Sequence, residues 1–160
     1  MKNLFIAHVR PIIDYCSSVW NTGYIQDLKI LESVQRHFTK QINGLSRFSY
    51  ADRLKFLNLF SIRGRLIRSD LIKYWKIFHN HSSIKHNDLF TLAPTSNLRG
   101  HEYKIFVQHT NTDIRKRFFS VRCIPLWNNL SHNTVQSTSL DSFKAAIGNE
   151  LGPLLFTYNS

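Results

Sequence analysis

Acidic side chains are scarce in this 160-residue chain, which has 10 Asp and Glu residues against 21 Lys and Arg residues. With the eight histidines neutral, the formal net charge is +11. A charge this far from zero favours polyanionic partners, either nucleic acid or an anionic membrane surface. Charged residues make up only 19% of the sequence. The excess therefore comes from the shortage of acids and not from a lysine-rich tail.

Cysteine, glycine and proline are also rare. Cys16 and Cys123 form neither a CxxC pair nor a disulfide framework, so both are predicted to be core thiols in a reducing compartment. Six glycines and four prolines leave no phosphate-binding loop of the GxxxxGK[ST] or GxGxxG type. No apolar run approaches the roughly 18 residues of a membrane span, and the run 4–7 is too short for a signal peptide. We therefore expect an intracellular protein of the nucleus or cytoplasm, without a membrane partner.

Apolar residues make up 42% of the chain and aromatic residues 13%, enough for a packed core. The periodicity is mostly helical. A helix broken near Pro11 is expected over 3–20, with Pro11 either at a kink or in the first turn of a second helix. A long amphipathic helix is expected over 24–43. The residues predicted to form the core-facing side of the second helix are Leu28, Leu31, Val34, Phe38 and Ile42.

Serine residues mark the starts of further helices, because a serine side chain can accept a hydrogen bond from the first turn. The expected caps and helices are Ser49 before 50–57, Ser61 before 62–79 and Ser139 before 140–150. A helix over 113–130 is expected to be kinked by Pro125. Alternating apolar residues predict a strand over 103–108. The predicted fold is mainly α, a small bundle of about five to six helices with a minor β-strand or hairpin.

Three stretches, taken in order, carry a resemblance to a known family. They are VRPIIDYCSSVW at 9–20; LESVQR at 31–36 with YADRL at 50–54; and RGH at 99–101 with RKRFFSVR at 115–122, LWNNL at 126–130 and SFK at 142–144. Together they resemble the C-terminal part of non-LTR retrotransposon reverse transcriptases, the RNA-directed DNA polymerases of LINE- or jockey-like elements. The resemblance covers roughly positions 4 to 145. Relatives commonly carry proline after the Trp-Asn-x-Leu box, where this chain has Ser131.

The resemblance implies three segments. These are a thumb-like helical region at 1–82, a loop with a short strand at 83–112, and a C-terminal helical segment at 113–160 packed on the first region. It also implies that the fingers, the catalytic palm and the nuclease acids of the parent enzyme lie outside the chain.

One short stretch imitates the palm box of the family, Tyr/Phe-Ala-Asp-Asp. Here Tyr50-Ala51-Asp52 is followed by Arg53, whereas two-metal catalysis needs at least two convergent carboxylates. No two acids of this chain are adjacent. Asp52 is therefore interpreted as an acid in the first turn of a helix, where it interacts favourably with the helix dipole. We expect a fragment that is not an enzyme by itself and has no cofactor, metal or catalytic residue.

Basic residues recur at helical spacing and could contact phosphates on successive turns. A third basic cluster surrounds Phe118 and Phe119, which could stack unpaired bases but are predicted to pack in the core. The predicted nucleic-acid-binding residues are Lys29, Arg36, Lys40, Arg65, Arg68, Lys73, Lys76, Arg115, Lys116, Arg117 and Arg122. Solvated helix faces are the alternative interpretation.

Two functions remain open at this point. The first is a non-catalytic fragment that grips RNA or DNA template and primer through the phosphate backbone. The second is a helical protein-interaction module that docks on the missing palm and fingers or on another partner. A third, an independent enzyme, lacks a recognisable nucleophile or acid pair. His79, His81 and His86 have no nearby cysteine to complete a zinc site, so they are interpreted as exposed loop histidines.

Overall fold

A computed structural model describes residues 2–94 and 100–156. This part of the chain is mainly helical, which confirms the mainly α class, but it contains more helices than the five to six predicted. Arg99, which belongs to the third resembling stretch, lies outside the described residues. The predicted strand over 103–108 is absent from the described part; an isolated antiparallel bridge joins Leu92 and Ile105 instead.

The chain divides into two compact units. The first unit is described over 2–69 and 152–156, and the second over 70–94 and 100–151. The first unit is therefore discontinuous in sequence. The boundary between the two units falls inside one long helix. The three segments expected from the resemblance, 1–82, 83–112 and 113–160, stay a prediction.

The helices are short apart from three. In chain order they are α1 (Lys2–Leu4), a π-helical turn (Phe5–Val9), α2 (Arg10–Asp14), α3 (Ser17–Trp20), α4 (Ile25–Lys40), α5 (Tyr50–Phe56), α6 (Ile62–Phe78), α7 (His86–Leu89), α8 (Asp113–Lys116), α9 (Phe119–Arg122), α10 (Ile124–Asn129), α11 (His132–Val135), α12 (Leu140–Glu150) and α13 (Gly152–Phe156). The α6 helix contributes its residues up to Ser69 to the first unit and the rest to the second.

Pro11 lies in the first turn of a new helix, α2, as one of its two expected roles required. The turn before it widens to π geometry, with the Arg10 N–H donating to the Phe5 carbonyl. Pro11 then takes a first-turn position of α2, where its missing N–H costs little. The break comes at Cys16, which has a left-handed φ of 48°. Cys16 is exposed, so its predicted place in the core was wrong, whereas Cys123 is buried as expected.

The serine caps form as predicted. Ser49 Oγ accepts from the Asp52 N–H, and Ser61 Oγ accepts from the Gly64 N–H at 3.0 Å. Ser139 and Ser142 form a reciprocal capping box at the start of α12. Asp52 lies in the first turn of α5, the place expected of it.

The core of the first unit gathers around α5 and the start of α6. Its fully buried side chains are Leu54, Leu59, Ile62, Leu66 and Leu155. Leu155 comes from α13, and its carbonyl accepts from both the Ser61 N–H at 3.0 Å and the Ser61 hydroxyl at 3.1 Å. A Cβ on Gly64 would lie 2.2 Å from the same carbonyl oxygen. A side chain at position 64 would therefore collide with the backbone of α13.

The core of the second unit is aromatic. Tyr74 lies within 5.7 Å of Trp127 and 4.6 Å of Phe90, measured between ring centroids, and Trp75 stacks on Phe143 at 5.6 Å.

The Trp-Asn-x-Leu box holds the segment where a strand was expected. Trp127 Nε1 donates to the Tyr103 carbonyl at 2.8 Å. The Asn128 amide exchanges two hydrogen bonds with the backbone of Ile105, at 2.8 and 2.9 Å. A side-chain amide thus takes the place of a partner strand. The expected single helix over 113–130 is instead three short helices, α8, α9 and α10, with Pro125 in the first turn of the last.

Candidate nucleic-acid interface

The α4 helix presents its three predicted basic residues to solvent. Lys29, Arg36 and Lys40 are all exposed. The guanidinium carbon of Arg36 lies 5.0 Å from the centre of the Tyr50 ring. This cation–π contact holds the Arg36 side chain near α5. The three side chains therefore form a basic edge along α4.

The buried face of α4 is polar, which the sequence did not predict. Glu32, Gln35 and Thr39 are buried, whereas Val34 is 47% exposed. At 100° per residue, the buried face is turned by roughly 70° from the face marked by the apolar residues.

Of the residues predicted to face the core, Val34 is exposed, whereas the other four are half-buried. Among these four, Phe38 stacks on Phe5, and Ile42 packs against the core around α5. The prediction therefore holds in part, and it missed the polar residues that are most deeply buried.

A buried hydrogen-bond network explains this orientation. The Tyr50 hydroxyl donates to one carboxylate oxygen of Glu32, and the Ile62 N–H donates to the other at 2.9 Å. Gln35 Nε2 donates to the Tyr50 hydroxyl at 3.1 Å and to the Phe60 carbonyl at 3.0 Å. The Glu32 carboxylate thus caps the start of α6, where N–H groups lack helical partners. Burial raises the pKa of Glu32, and these hydrogen bonds oppose that rise.

Arg53, which follows Asp52 in the Tyr50-Ala51-Asp52 stretch, belongs to the same region. It is buried, and its guanidinium carbon lies 5.6 Å from the centre of the Tyr50 ring. Its NH2 group donates to the Arg36 carbonyl at 3.5 Å. Arg53 therefore links α5 to α4, which is a structural role.

Three arginines lie near one another in the first unit, since the charge of Arg65 acts on both Arg10 and Arg68. We call Arg10, Arg65, Arg68 and Asp14 the arginine cluster. The Arg65 guanidinium forms an ion pair with Asp14 in which both side chains remain partly accessible, at 24% and 34%. Arg68 lies over the Phe60 ring, with its guanidinium carbon 5.8 Å from the ring centre. Arg10 is only 8% exposed.

The electrostatics of the arginine cluster are unusual for a folded chain. The buried Nε and NH2 atoms of Arg10 have no hydrogen-bond partner, although buried guanidinium donors are normally satisfied. Burial and then the charge of Arg65 lower the pKa of Arg10 to about 10. The same two causes, in the same order, lower the pKa of Arg68. Arg65 therefore lies close enough to both Arg10 and Arg68 for their like charges to repel.

Sequence reasoning missed Arg10 and Asp14, although both lie in the first resembling stretch. The signal that could have found them is their i, i+4 spacing on a helix, which places an arginine beside an acid.

In the second unit, one predicted binding residue has a different role. Arg122 forms a two-point ion pair with Asp70, with Nε to Oδ2 at 2.8 Å and NH2 to Oδ1 at 3.0 Å. The two side chains are 11% and 2% exposed. Burial raises the pKa of Asp70, and the hydrogen bonds and charge of Arg122 oppose that rise. The structure therefore places Arg122 in the interior of the unit, as the partner of a buried acid.

The other predicted binding residues of the second unit lie nearer the surface than Arg122. Lys73, Lys76 and Arg117 are half-buried, whereas Arg115 and Lys116 are exposed. Lys116 forms an ion pair with Asp113 at 3.4 Å. The stripe predicted along α6 is thus divided, with Arg65 and Arg68 in the first unit and the two lysines in the second.

The two adjacent phenylalanines separate. Phe118 is 54% exposed, and the Arg115 guanidinium carbon lies 5.5 Å from its ring centre. Phe119 packs edge-on against Tyr74 at 5.2 Å. Core packing, predicted for both, therefore holds for Phe119 and not for Phe118.

The histidines of 79–86 are engaged with aromatic rings. His79 and His81 stack on Trp75, at 4.3 and 5.3 Å between ring centroids, and His86 stacks on Phe78 at 5.6 Å. Within the described ranges, no group of three or more His, Cys, Asp or Glu side chains is arranged to hold a metal ion. None of the helices over 2–94 and 100–156 is long and apolar enough to cross a bilayer.

No protein-family description, curated protein or solved structure matches the chain.

Proposed function

We propose that the chain is a non-catalytic, nucleic-acid-gripping part of a non-LTR retrotransposon reverse transcriptase, corresponding to its thumb and post-thumb region. The observation that carries the nucleic-acid reading is the arginine cluster, in which Arg10 and Arg65 lie close enough to repel each other beside Asp14. Arg65 also lies near Arg68. The ordered sequence stretches described above support the assignment to the parent polymerase. Arg10 and Asp14 fall within the first of those stretches, so the same residues contribute to both lines of support.

The charge of the first unit supports a polyanionic ligand. Its sequence contains 11 Lys and Arg residues and four acids, a formal charge of +7. One of the four acids, Glu32, is buried and engaged with Tyr50 and the start of α6. Excess positive charge concentrates counter-anions and is relieved when phosphates replace them. The exposed edge of Lys29, Arg36 and Lys40 supplies further contacts.

Binding of this kind reads the phosphate backbone and not the bases. Phosphate contacts position a protein on nucleic acid but carry no direct sequence information. We therefore expect RNA and DNA to bind with a Kd of about 1 μM or weaker at physiological salt. If about four to six side chains contact phosphate, log K falls with log salt at a slope of roughly −3 to −5.

Salt titration with two charge-matched variants tests the proposal. Arg65→Gln with Arg68→Gln should flatten the slope by about one to two units. Lys85→Gln with Lys144→Gln removes the same charge from the second unit and should leave the slope within about half a unit of the parent chain. Equal slopes for the two double variants would show that net charge alone drives binding, and the arginine cluster would lose its assigned role.

The second candidate, a protein-interaction module, is favoured by apolar surface on the first unit. Ile30 is 67% exposed and Val34 is 47% exposed on α4. A shallow groove is lined by Val34 together with Phe5, Val9 and Phe38. Docking there buries apolar surface and depends little on salt. A Val34→Asp change should abolish such docking and leave the salt slope for nucleic acid unchanged.

A further inference from the structure

We infer that Phe118 and Arg115 form a site on which an unpaired nucleobase stacks. This inference rests on the proposed nucleic-acid function and deepens it, because it adds a preference for single strands to the grip on phosphates. The Phe118 side chain is 54% exposed, and the Arg115 guanidinium carbon lies 5.5 Å from the centre of its ring. Both residues belong to the second unit, so the site shares no residue with the arginine cluster.

Backbone hydrogen bonds fix Phe118 at a tight turn between α8 and α9. Its N–H donates to the Arg115 carbonyl at 3.2 Å, and its carbonyl accepts from the Val121 and Arg122 N–H groups, both at 2.9 Å. Phe118 is the N-cap residue of α9 and has the extended backbone angles usual there, φ −60° and ψ 145°. The direction in which its side chain leaves the turn is therefore set by the backbone.

The next residue along the chain anchors this turn to the core of the second unit. Phe119 packs edge-on against Tyr74 at 5.2 Å between ring centroids, and the Tyr74 hydroxyl donates to the Phe119 carbonyl at 2.8 Å. The Arg122 guanidinium carbon lies 5.9 Å from the centre of the Phe119 ring, and Arg122 is itself paired with the buried Asp70. Phe118 therefore cannot turn inward without displacing its neighbour. A ring already held at the surface loses little conformational freedom when a ligand binds to it.

The residues around the exposed ring favour a nucleic acid over an apolar protein segment. Segment 113–118 contains three basic residues and one acid. The acid, Asp113, is paired with Lys116 at 3.4 Å, and Arg115 is exposed. Aromatic rings beside cations bind single strands, because every base has a flat π face and every nucleotide carries a phosphate. A base can stack on Phe118 while Arg115 contacts the phosphate of the same strand.

The ring should select unpaired bases. In a duplex the bases are already stacked on each other, so their faces are not accessible to a protein side chain. Single-stranded loops and ends offer these faces, and aromatic side chains commonly bind them there. The second unit would therefore distinguish a single strand from a duplex, which contact with phosphates alone does not require.

The test compares three ligands that present phosphates with and without accessible bases. They are a single-stranded oligothymidylate of about 12 nucleotides, an abasic oligomer with the same number of phosphates, and a duplex closed at both ends by linkers without bases. Binding is measured by fluorescence anisotropy at several salt concentrations. We expect the parent chain to bind the oligothymidylate at least about fivefold more tightly than the abasic oligomer. This affinity ratio should not change with salt, because the Phe118 ring carries no charge.

Substitutions at exposed positions separate stacking from general apolar contact. Phe118→Leu keeps an apolar side chain but removes the ring, so it should bring the affinity ratio close to unity and leave duplex binding unchanged. Phe118→Trp keeps a ring and should keep at least the parent ratio. Arg115→Gln should weaken binding of both single-stranded ligands by about threefold or more. Ile114→Ala, on the same short helix and 69% exposed before the change, is the matched control and should keep the parent ratio.

The outcomes separate this inference from the function on which it rests. If the parent chain binds the oligothymidylate and the abasic oligomer equally, with a steep salt slope, the backbone grip stands and the stacking site is refuted. If none of the three ligands binds, both proposals fail. An affinity ratio that survives in Phe118→Leu would refute the assignment to this ring, and a ratio that falls as far in Ile114→Ala would show apolar contact in place of stacking. An Arg115→Gln chain that binds like the parent would refute the phosphate contact given to Arg115.

Discussion

Gly64 lies inside α6. Replacing it with alanine has two opposite effects on stability, a gain in helix propensity and a collision with α13. In an unobstructed helix, alanine is favoured over glycine by up to about 1 kcal/mol. At this position, however, the new Cβ would lie 2.2 Å from the Leu155 carbonyl oxygen and 2.7 Å from the Leu155 carbonyl carbon and Cα. These are backbone atoms of α13, so no side-chain rotation relieves the collision. Either α6 or α13 must move.

The size of the penalty follows from what α13 contributes. Overpacking in a core costs about 1–3 kcal/mol. If α13 is displaced instead, the two hydrogen bonds from Ser61 to the Leu155 carbonyl are lost at about 0.5–1.5 kcal/mol each. The burial of the Leu155 side chain, worth about 1.5–3 kcal/mol, is then lost as well. After subtracting the helix-propensity gain, we expect Gly64→Ala to lower the free energy of unfolding by about 2–4 kcal/mol. For a chain of this length, that is a fall in Tm of roughly 5–10 °C.

Gly148 provides the matched control, because it lies inside α12 and a Cβ there meets no atom within 4 Å. Gly148→Ala should raise the free energy of unfolding by about 0.5–1 kcal/mol. Urea titration followed by circular dichroism measures both variants. Deleting residues 152–160 removes the obstacle, so in that shortened chain Gly64→Ala should become neutral or stabilising. A Gly64→Ala variant as stable as Gly148→Ala in the full chain would refute the close approach of α13 to α6.

Three further predictions concern single side chains. Burial raises the pKa of Glu32 above 4.5, so the folded state binds the Glu32 proton more tightly than the unfolded state does. The stability that protonated Glu32 contributes is therefore present at low pH and is lost as the pH rises through the folded pKa. The free energy of unfolding of Glu32→Gln, measured in urea, should therefore increase relative to that of the parent chain between pH 4 and 7. A difference between the two that does not change with pH would contradict the raised pKa. Arg122→Ala leaves the Asp70 carboxylate buried and unpaired, and should cost about 3–5 kcal/mol of stability without changing the salt slope of nucleic-acid binding; an altered slope in a stable variant would place Arg122 at the ligand. With Mg²⁺, primer, template and deoxynucleotides, the chain should extend no primer, and extension abolished by Asp52→Ala would overturn the non-catalytic interpretation.

Local signals in the sequence were sufficient for the helices that begin at a serine. Ser49, Ser61 and Ser139 act through hydrogen bonds to residues within three positions, so neighbouring residues determine them. The orientation of α4 was not accessible in this way. Its apolar stripe is real, but Glu32 is drawn inward by Tyr50, which lies 18 positions away, and by the start of α6. Tertiary hydrogen bonds of this kind override an amphipathic pattern because buried polar groups must be satisfied.

The candidate site was predictable only in part. The exposed residues Lys29 and Lys40 follow from helical spacing, since a charge on a polar face stays in solvent. The arginine cluster did not follow, because it forms from α2 and α6, whose contact no periodicity reveals. Arg122 was predicted to bind nucleic acid because its neighbours in the sequence are basic. Its partner in the structure is instead Asp70, which lies 52 positions earlier. Ion pairs between residues far apart in the sequence determine which arginines can contact a ligand, and a single sequence does not reveal these ion pairs.

The contact between Ser61 and Leu155 has a consequence for the order of events during synthesis. It joins residues 94 positions apart, and the whole of the second unit lies in the sequence between them. A ribosome therefore releases a contiguous second unit before it releases the segment that completes the first. Closing so long a loop is entropically slow when the intervening chain is disordered, but an intervening unit that is already folded shortens the effective loop. Until α13 leaves the ribosome, the first unit would therefore remain incomplete, with Ile62 and Leu66 only partly buried. That interval is when chaperones have the most apolar surface to bind.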